Sequence, residues 1–239
     1  MEKNQYKLCV EILRRFHQSG LMPHIILIGS WSVIFYEGYF KKNSAVKNFV
    51  LRTRDIDFLI ENPKNMKLNV DVPELLKDLG FIVSFTGAKG YMKLTHEDLI
   101  LEFLVPEKGR GVDGPVGLPS LGMNAVALRF LNFLTDNTIQ VKVEDFVVTL
   151  PHPANFALHK LIVSQRRTKE EKAAKDKDAA ISIIKALIDN NGTQILRDVF
   201  HKVPVKWQKK IIEGLKFAGE PELLEFITGG RPAKPGPQS

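Results

Sequence analysis

The spacing of apolar residues along the chain changes near residue 150. Before that point, short apolar runs and alternating segments predict β-strands with a few helices between them. After it, apolar residues recur every three or four positions, which is the helical period. The pattern predicts an α+β fold, with a mixed-sheet domain at residues 1–150 and an all-helical domain at residues 151–228. Residues 229–239 are rich in Gly and Pro, and we expect this tail to be disordered.

Each predicted element of the first domain follows from where an apolar run begins and ends. We predict helices at residues 3–19, 31–40, 72–80 and 124–134. We predict strands at residues 24–29, 52–61, 81–87, 91–95, 98–106, 138–143 and 146–151. Residues 107–120 contain so many Gly and Pro residues that we predict a loop there.

The helical domain begins after two prolines, Pro151 and Pro153, which cannot both continue a strand ladder. Its first helix is predicted at residues 155–166. Thr168 and Glu171 have the spacing of a capping box, which predicts the start of a second helix that ends at residue 189. Further helices are predicted at residues 193–203, 205–217 and 221–227.

Composition narrows the class of protein. The chain of 239 residues is 44% hydrophobic and 26% charged, as soluble globular proteins are. Its apolar runs fall short of the ~18 residues that a membrane span requires. The first residues lack the continuous apolar region of a secretory signal. The single cysteine, Cys9, excludes an intramolecular disulfide, and we expect a cytoplasmic protein without a membrane partner.

The formal charge of +7 favours an anionic partner, such as a nucleotide, a nucleic acid or an acidic protein. Many basic proteins bind nothing anionic, so the charge alone does not decide the question. Seven basic residues lie between positions 160 and 177 against three acidic ones, which is either a site for phosphates or a solvated helix surface. Lys160 and Arg167 are seven residues apart and share one face if their helix is continuous.

Two aspartates, Asp55 and Asp57, occupy one face of a predicted strand whose other face is apolar. They lie about 7 Å apart, because each strand residue rises ~3.3 Å. Such a pair is either the solvent-facing side of an edge strand or a site for Mg²⁺, which prefers hard oxygen ligands. Glu102 interrupts the apolar face of another strand, where an acid rarely stays buried without a partner or a metal ion.

Gly29 and Ser30 lie between a predicted buried strand and a predicted helix. A glycine there lets an anion approach the backbone closely, and the serine hydroxyl can donate to a phosphate. The alternative is that Gly29 only ends the strand and Ser30 only caps the helix. The dinucleotide-binding GxGxxG and the P-loop GxxxxGK[ST] are both missing from the sequence.

The order strand, Gly-Ser, helix, paired aspartates and a later single acid resembles the polymerase β-like nucleotidyltransferase superfamily, across residues 20–110. The segments HKLIVSQRR and KDKDAA are similar to the helical motif of its minimal, abortive-infection toxin-like members. One departure is the 24 residues between Ser30 and Asp55, which exceed the spacing of the compact members and imply an extra turn or short strand.

The resemblance implies a role for each matching position. Gly29 and Ser30 would hold a nucleoside triphosphate, and Asp55, Asp57 and Glu102 would bind two Mg²⁺ ions and serve as the catalytic residues. The basic and acidic positions of the helical motif would complete the nucleotide site; these are Lys160, Arg167, Lys177 and Asp178.

The leading interpretation is a metal-dependent enzyme that moves a nucleoside monophosphate onto an acceptor. An RNA such as a tRNA, a protein or a small molecule would fill that role. The resemblance also implies a toxin with an antitoxin protein as partner. The alternatives are a non-catalytic nucleotide- or RNA-binding module of the same fold and a pure protein-interaction domain.

Overall fold

The computed structural model describes residues 3–40, 53–109, 111 and 113–229. By their contacts, these residues form two units. The first comprises residues 3–39 and 53–152, and the second comprises Phe40 and residues 153–229. Two predictions lie outside the described residues: the extra turn or short strand before Arg52, and the disorder of the tail beyond Gly229.

The first unit contains both strands and helices. Its strands are β1 Ile26–Ile28, β2 Asp55–Leu59, β3 Ile82–Thr86, β4 Tyr91–Thr95, β5 Ile100–Pro106, β6 Val116–Leu118, β7 Met123–Leu128, β8 Thr138–Val143 and β9 Phe146–Pro151. Its helices are α1 Lys3–Gln18, α2 Trp31–Phe35, α3 Val72–Leu76 and α4 Asn132–Thr135. Helices α2 and α3 each continue into a single 3-10 turn.

A seven-stranded mixed sheet forms the centre of the first unit. Five strands lie in the order β1-β2-β5-β4-β3, and β7 pairs with both β5 and β6. The pairs β2–β5 and β5–β7 are parallel, and the other pairs are antiparallel. Strands β8 and β9 form a separate hairpin. The mixed sheet confirms the predicted α+β class.

Helix α1 covers one face of the central strands because its apolar stripe meets aromatic side chains there. Phe16 of α1 packs edge-on against Phe58 of β2, with ring centroids 5.2 Å apart, and Phe58 is 5.9 Å from Phe103 of β5. All three rings are fully buried. Burial of one such side chain contributes about 1.5–3 kcal/mol. This packing fixes β2 and β5 side by side.

The opposite face carries the acids at one end and an apolar cluster at the other. The cluster consists of Ile26, Ile28, Leu59, Leu104, Leu131 and Leu134. Leu59 and Leu104 are opposite each other in the parallel β2–β5 pair, and they lie on the same face as Asp57 and Glu102. The cluster therefore anchors both strands directly beside the acids.

The second unit is all-helical, as predicted. Its helices are α5 Pro153–Ser164, α6 Glu170–Asp189, α7 Thr193–Lys202, α8 Val205–Phe217 and α9 Pro221–Thr228. Helix α5 packs against α6, α7 and α8, and α9 packs against α7 and α8. In the described part of the chain, no helix has the length and apolar content needed to cross a membrane.

Two predictions about the segment between β5 and α4 are wrong. Residues 124–134 are predicted as one helix, but Met123–Leu128 is strand β7, and the helix α4 begins only at Asn132. It lies between β5 and β6, so pairing on both sides decides its conformation over its local helical pattern. The predicted loop at residues 107–120 also contains strand β6, because Val116–Leu118 pairs with β7.

At the connection of α5 to α6, one condition is not met and one prediction is wrong. Helix α5 ends at Ser164, so the continuous helix on which Lys160 and Arg167 would share a face is not formed. The capping box is not formed, since Lys169 occupies the N-cap position of α6 without a side-chain hydrogen bond. The five residues between the two helices, 165–169, instead form a turn followed by a bend, and Arg167 lies between the turn and the bend.

Candidate active site

Strand β1 ends in a tight turn at Gly29. Its backbone is left-handed, with φ of +76°, a conformation that other residues rarely adopt. A Cβ atom added to Gly29 would lie only 2.5 Å from Oδ2 of Asp57. Both the backbone conformation and the lack of space for a side chain therefore favour glycine at this position. The turn lies in contact with the Asp57 carboxylate.

Ser30 occupies the N-cap position of α2, but its side chain does not cap the helix. Its backbone is right-handed helical, with φ of −69° and ψ of −23°, whereas a capping residue is usually extended. The backbone N–H of Val33 donates to the Ser30 carbonyl at 3.2 Å. Ser30 directly follows Gly29 and is partly exposed.

Asp55 and Asp57 are partly buried on one face of β2, while Ile56 and Phe58 are fully buried on the other. Thr53 supports the first aspartate. The backbone N–H of Asp55 donates to Thr53 Oγ1 at 3.1 Å, and that hydroxyl donates to Asp55 Oδ2 at 3.4 Å. The start of the strand is fixed by this local pair of hydrogen bonds.

The parallel pairing of β2 with β5 brings Glu102 next to Asp57. The two residues are direct partners in the register, so their side chains project from the same face of neighbouring strands about 4.8 Å apart. Gly29, Asp57 and Glu102 therefore lie together. Asp55 is opposite Ile100, one step further along the same face.

Lys93 also belongs to this face, and sequence reasoning did not single it out. Strand β4 pairs with β5 on the side away from β2, with Leu94 opposite Leu101. Nζ of Lys93 lies 3.4 Å from Oε1 and 3.3 Å from Oε2 of Glu102. Alternation in β4 was the available signal, because it places Lys93 on the polar face of YMKLT.

The donor set of this face fits a divalent cation of the Mg²⁺ type in its chemistry, since it offers carboxylate oxygens and a serine hydroxyl. Within the described residues, however, no three His, Cys, Asp or Glu side chains converge closely enough to enclose a metal ion. Glu102 faces Lys93 instead. Asp55 and Asp57 would hold the ion, and Glu102 would join them once its pair with Lys93 opens.

In the second unit, Lys160 and Arg167 converge on Asp176. Nζ of Lys160 donates to Asp176 Oδ1 at 2.6 Å, and Nε of Arg167 donates to Oδ2 at 2.8 Å. Burial raises the pKa of Asp176, but the charges of Lys160 and then Arg167 outweigh it, so the pKa is lowered overall. Sequence reasoning missed this acid, although it lies on the apolar stripe of α6 that continues with Ala179, Ala180 and Ile183.

The other two residues that the resemblance matched in this unit do not join Asp176. Lys177 places its Nζ 4.1 Å from the centroid of the Phe217 ring, in a cation-π contact, and Asp178 is exposed. His159, beside Lys160, is buried, and burial with the Lys160 charge lowers its pKa to about 3. Its Nε2 has no hydrogen-bond partner among the described residues.

A family model described as Nucleotidyltransferase matches residues 7–203, well over half of the chain. The chain belongs to this nucleotidyltransferase family. The matched range contains Gly29, Ser30 and all three predicted site acids. This nucleotidyltransferase is therefore an enzyme of nucleoside monophosphate transfer, and the polymerase β-like resemblance is confirmed at the level of the family. None of the curated protein sequences matches it.

Three solved structures align with the chain at low sequence identity. An antigenic nucleotidyltransferase-like protein from Paracoccidioides brasiliensis aligns with a TM-score of 0.50 and 13% identity, covering 92% of this chain and 91% of its own. The solution structure of the antibiotic-resistance factor ANT(2'')-Ia aligns with a TM-score of 0.45 and 12% identity, covering 84% of this chain and 93% of its own. Its complex with adenylyl-2''-tobramycin aligns with a TM-score of 0.41 and 9% identity, covering 95% and 97%. The first likeness is one of fold.

Proposed function

We propose that this nucleotidyltransferase is metal-dependent and that its active site is the face of the sheet formed by Gly29, Ser30, Asp55, Asp57 and Glu102. The observation that supports this most strongly is the register of β2 with β5, which sets Glu102 beside Asp57 while the Gly29 turn touches that same aspartate. Like charges side by side destabilise a sheet, so a face that holds them is expected to serve a cation.

In this proposal the turn at Gly29 and Ser30 would bind the phosphates, and the carboxylates would bind the metal ions. The Gly29 backbone would admit the phosphates of a nucleoside triphosphate close to Asp57, and the Ser30 hydroxyl would donate to a phosphate oxygen. Asp55 and Asp57 would hold Mg²⁺, and Glu102 would complete the site for a second ion. When bound, Mg²⁺ supplies charge neutralisation at the phosphates and at the leaving pyrophosphate.

The transfer itself replaces one phosphorus–oxygen bond by another. The oxygen of an acceptor hydroxyl attacks the α-phosphorus of the nucleoside triphosphate. The bond from this oxygen to the α-phosphorus forms, and the bond from the α-phosphorus to pyrophosphate breaks. Glu102 would accept the proton that the hydroxyl loses, because its carboxylate is the one at the far side of Asp57 from the Gly29 turn. The acceptor itself, an RNA, a protein or a small molecule, stays open, as do the toxin role and the antitoxin partner that the sequence resemblance implied.

Transfer of a labelled nucleotide tests the proposal. The enzyme is incubated with each α-³²P nucleoside triphosphate, Mg²⁺ and a cell extract that contains RNA, protein and small molecules. We expect label to appear in one class of acceptor. Chelation of Mg²⁺ should abolish this transfer, and Asp55→Asn or Asp57→Asn should reduce its rate at least ~100-fold. Asp136→Asn, which removes an exposed carboxylate of the same unit, is the matched control and should retain transfer.

The same assay separates the alternative of a binding module. Binding of nucleotide with Mg²⁺ but no transfer into any acceptor class would favour that module. Transfer that survives the combined Asp55→Asn and Asp57→Asn changes would place the active site elsewhere.

A further inference from the structure

A row of charged side chains crosses three neighbouring strands of the sheet. Asp57 of β2, Glu102 of β5 and Lys93 of β4 follow one another on one face. The ammonium of Lys93 is in contact with both carboxylate oxygens of Glu102, at 3.4 Å and 3.3 Å. Neither member of this pair is freely solvated, since the side chains are 25% and 18% exposed.

The nearest polar neighbour of Lys93 on the outer strand does not compete for its ammonium. Ser84 of β3 is opposite Lys93 in the register. Its hydroxyl hydrogen-bonds to Thr95 Oγ1 at 2.7 Å and approaches the Lys93 backbone carbonyl at 3.4 Å. Glu102 is thus the counter-ion of Lys93, and the ammonium lies where a cation bound by Glu102 would be.

The pair has consequences for both of its members. A carboxylate whose two oxygens both contact an ammonium cannot bind a metal ion from the same side until the ammonium leaves. A lysine offers a compact charge on a flexible stem, so it can occupy such a position and leave it at low cost. Without a metal ion, the same charge offsets the repulsion between Glu102 and the adjacent Asp57.

We infer that Lys93 is a positioning residue that holds Glu102 as an internal counter-ion and competes with the metal ion for this carboxylate. The inference rests on the proposed function, because it assumes that Asp57 and Glu102 hold a metal ion. Metal binding then requires the Lys93–Glu102 pair to open. The freed ammonium remains on the same face, where it can approach the phosphates of the nucleotide.

Binding of Mn²⁺ alone to the full chain, measured by electron paramagnetic resonance, tests the competition. Lys93→Met removes the competing charge at similar length, so we expect Mn²⁺ to bind about five- to tenfold more tightly. Lys93→Arg keeps the charge and should bind within about twofold of the unchanged enzyme. Lys89→Met is the matched control, because Lys89 pairs with Asp113 instead, and its affinity should not change.

A double-mutant cycle assigns the effect to the pair. In a Glu102→Gln background, Lys93→Met should change the Mn²⁺ affinity by clearly less than it does with Glu102 present. Thermal unfolding in chelator checks that each variant folds, and Lys93→Gln replaces the methionine variant if that one does not. Mn²⁺ should raise the unfolding temperature of Lys93→Met more than that of the unchanged enzyme.

Two different results would distinguish a failure of the proposed metal site from a failure of the competition by Lys93. If Asp57→Asn leaves Mn²⁺ binding unchanged, the proposed metal site itself is wrong. If Asp57→Asn abolishes binding while Lys93→Met binds Mn²⁺ equally well or more weakly than the unchanged enzyme, the site stands and the competition by Lys93 is refuted.

Discussion

At the scale of single residues, the proposed site depends on one contact between a backbone and a carboxylate. Gly29 combines a left-handed φ with an approach that would bring a Cβ atom to 2.5 Å from Asp57 Oδ2. Gly87 has a similar φ of +69° but nothing within 4 Å of its would-be Cβ atom. The two glycines therefore separate the cost of conformation from the cost of crowding.

We expect Gly87→Ala to lower the free energy of unfolding by about 1 kcal/mol, which is the usual penalty for a left-handed residue with a Cβ atom. Gly29→Ala should cost about 1–2 kcal/mol more, because Asp57 must move as well. Urea denaturation of both variants measures the difference. Equal losses would show that the contact with Asp57 is not tight.

The charged residues of the proposed site show how much alternation along strands can predict. Asp55, Asp57 and Glu102 stand out in the sequence because each is an acid within a largely apolar strand. Their proximity also needs the parallel register of β2 and β5, which depends on the whole sheet. Lys93 was overlooked for the same reason, since only the pairing of β4 with β5 reveals its counter-ion.

At the scale of elements, Asp176 ties helix α5 and the turn after it to helix α6. It is 7% exposed and accepts hydrogen bonds from Lys160 and Arg167. Removing one partner of a buried ion pair leaves the other charge uncompensated, which typically costs about 3–5 kcal/mol. The role of these basic residues in nucleotide binding stays a prediction.

We expect Asp176→Asn to lower the free energy of unfolding by about 3 kcal/mol, since the buried Lys160 loses its counter-ion. Asp178→Asn, two residues along the same helix but exposed, is the control and should change it by less than about 0.5 kcal/mol. Chemical denaturation of the two variants gives both values. If Asp176→Asn is as stable as Asp178→Asn, the pair does not stabilise the fold.

The success of element prediction depended on how far each pattern is decided locally. Helix α6 and strand β5 have long, regular apolar patterns, and both lie where predicted. Strand β7 does not lie where a strand was predicted. The local pattern of Met123–Leu128 is helical, and only the pairing with β5 and β6 on either side makes it a strand. In the segment before α6, Arg167 donates a hydrogen bond to Asp176, a contact that no local motif encodes.

At the scale of the whole molecule, each unit buries one histidine in neutral form. Burial lowers the pKa of His152 to about 4 in the first unit, and burial with the Lys160 charge lowers that of His159 to about 3 in the second. An unfolded histidine titrates near its ordinary pKa of about 6.5. Between these pH values the unfolded chain binds more protons, so stability falls as the pH falls.

We expect the free energy of unfolding to decrease by on the order of 1 kcal/mol per pH unit for each histidine as the pH is lowered from about 6.5 to about 4. Denaturation at pH 7, 6 and 5 measures the slope. His159→Gln should reduce it, whereas His201→Gln, at an exposed position, should leave it unchanged. A slope that is the same in all three proteins would contradict the neutral burial of His159.

The lowered pKa of Asp176 acts in a separate, more acidic range. Its stabilising contribution is complete above the ordinary aspartate pKa of about 4 and is lost as the pH falls through the lowered value. The two effects therefore differ in the pH at which each begins.

Family membership makes the chain a nucleotidyltransferase, and the central claim is that its carboxylate face binds the nucleotide through Mg²⁺. Isothermal titration with a non-hydrolysable nucleoside triphosphate analogue tests this without knowledge of the acceptor. We predict binding with Mg²⁺ that weakens at least about tenfold in chelator and in the combined Asp55→Asn and Asp57→Asn variant, but not in Asp136→Asn. Equal affinity with and without Mg²⁺, or in the double variant, would contradict the account.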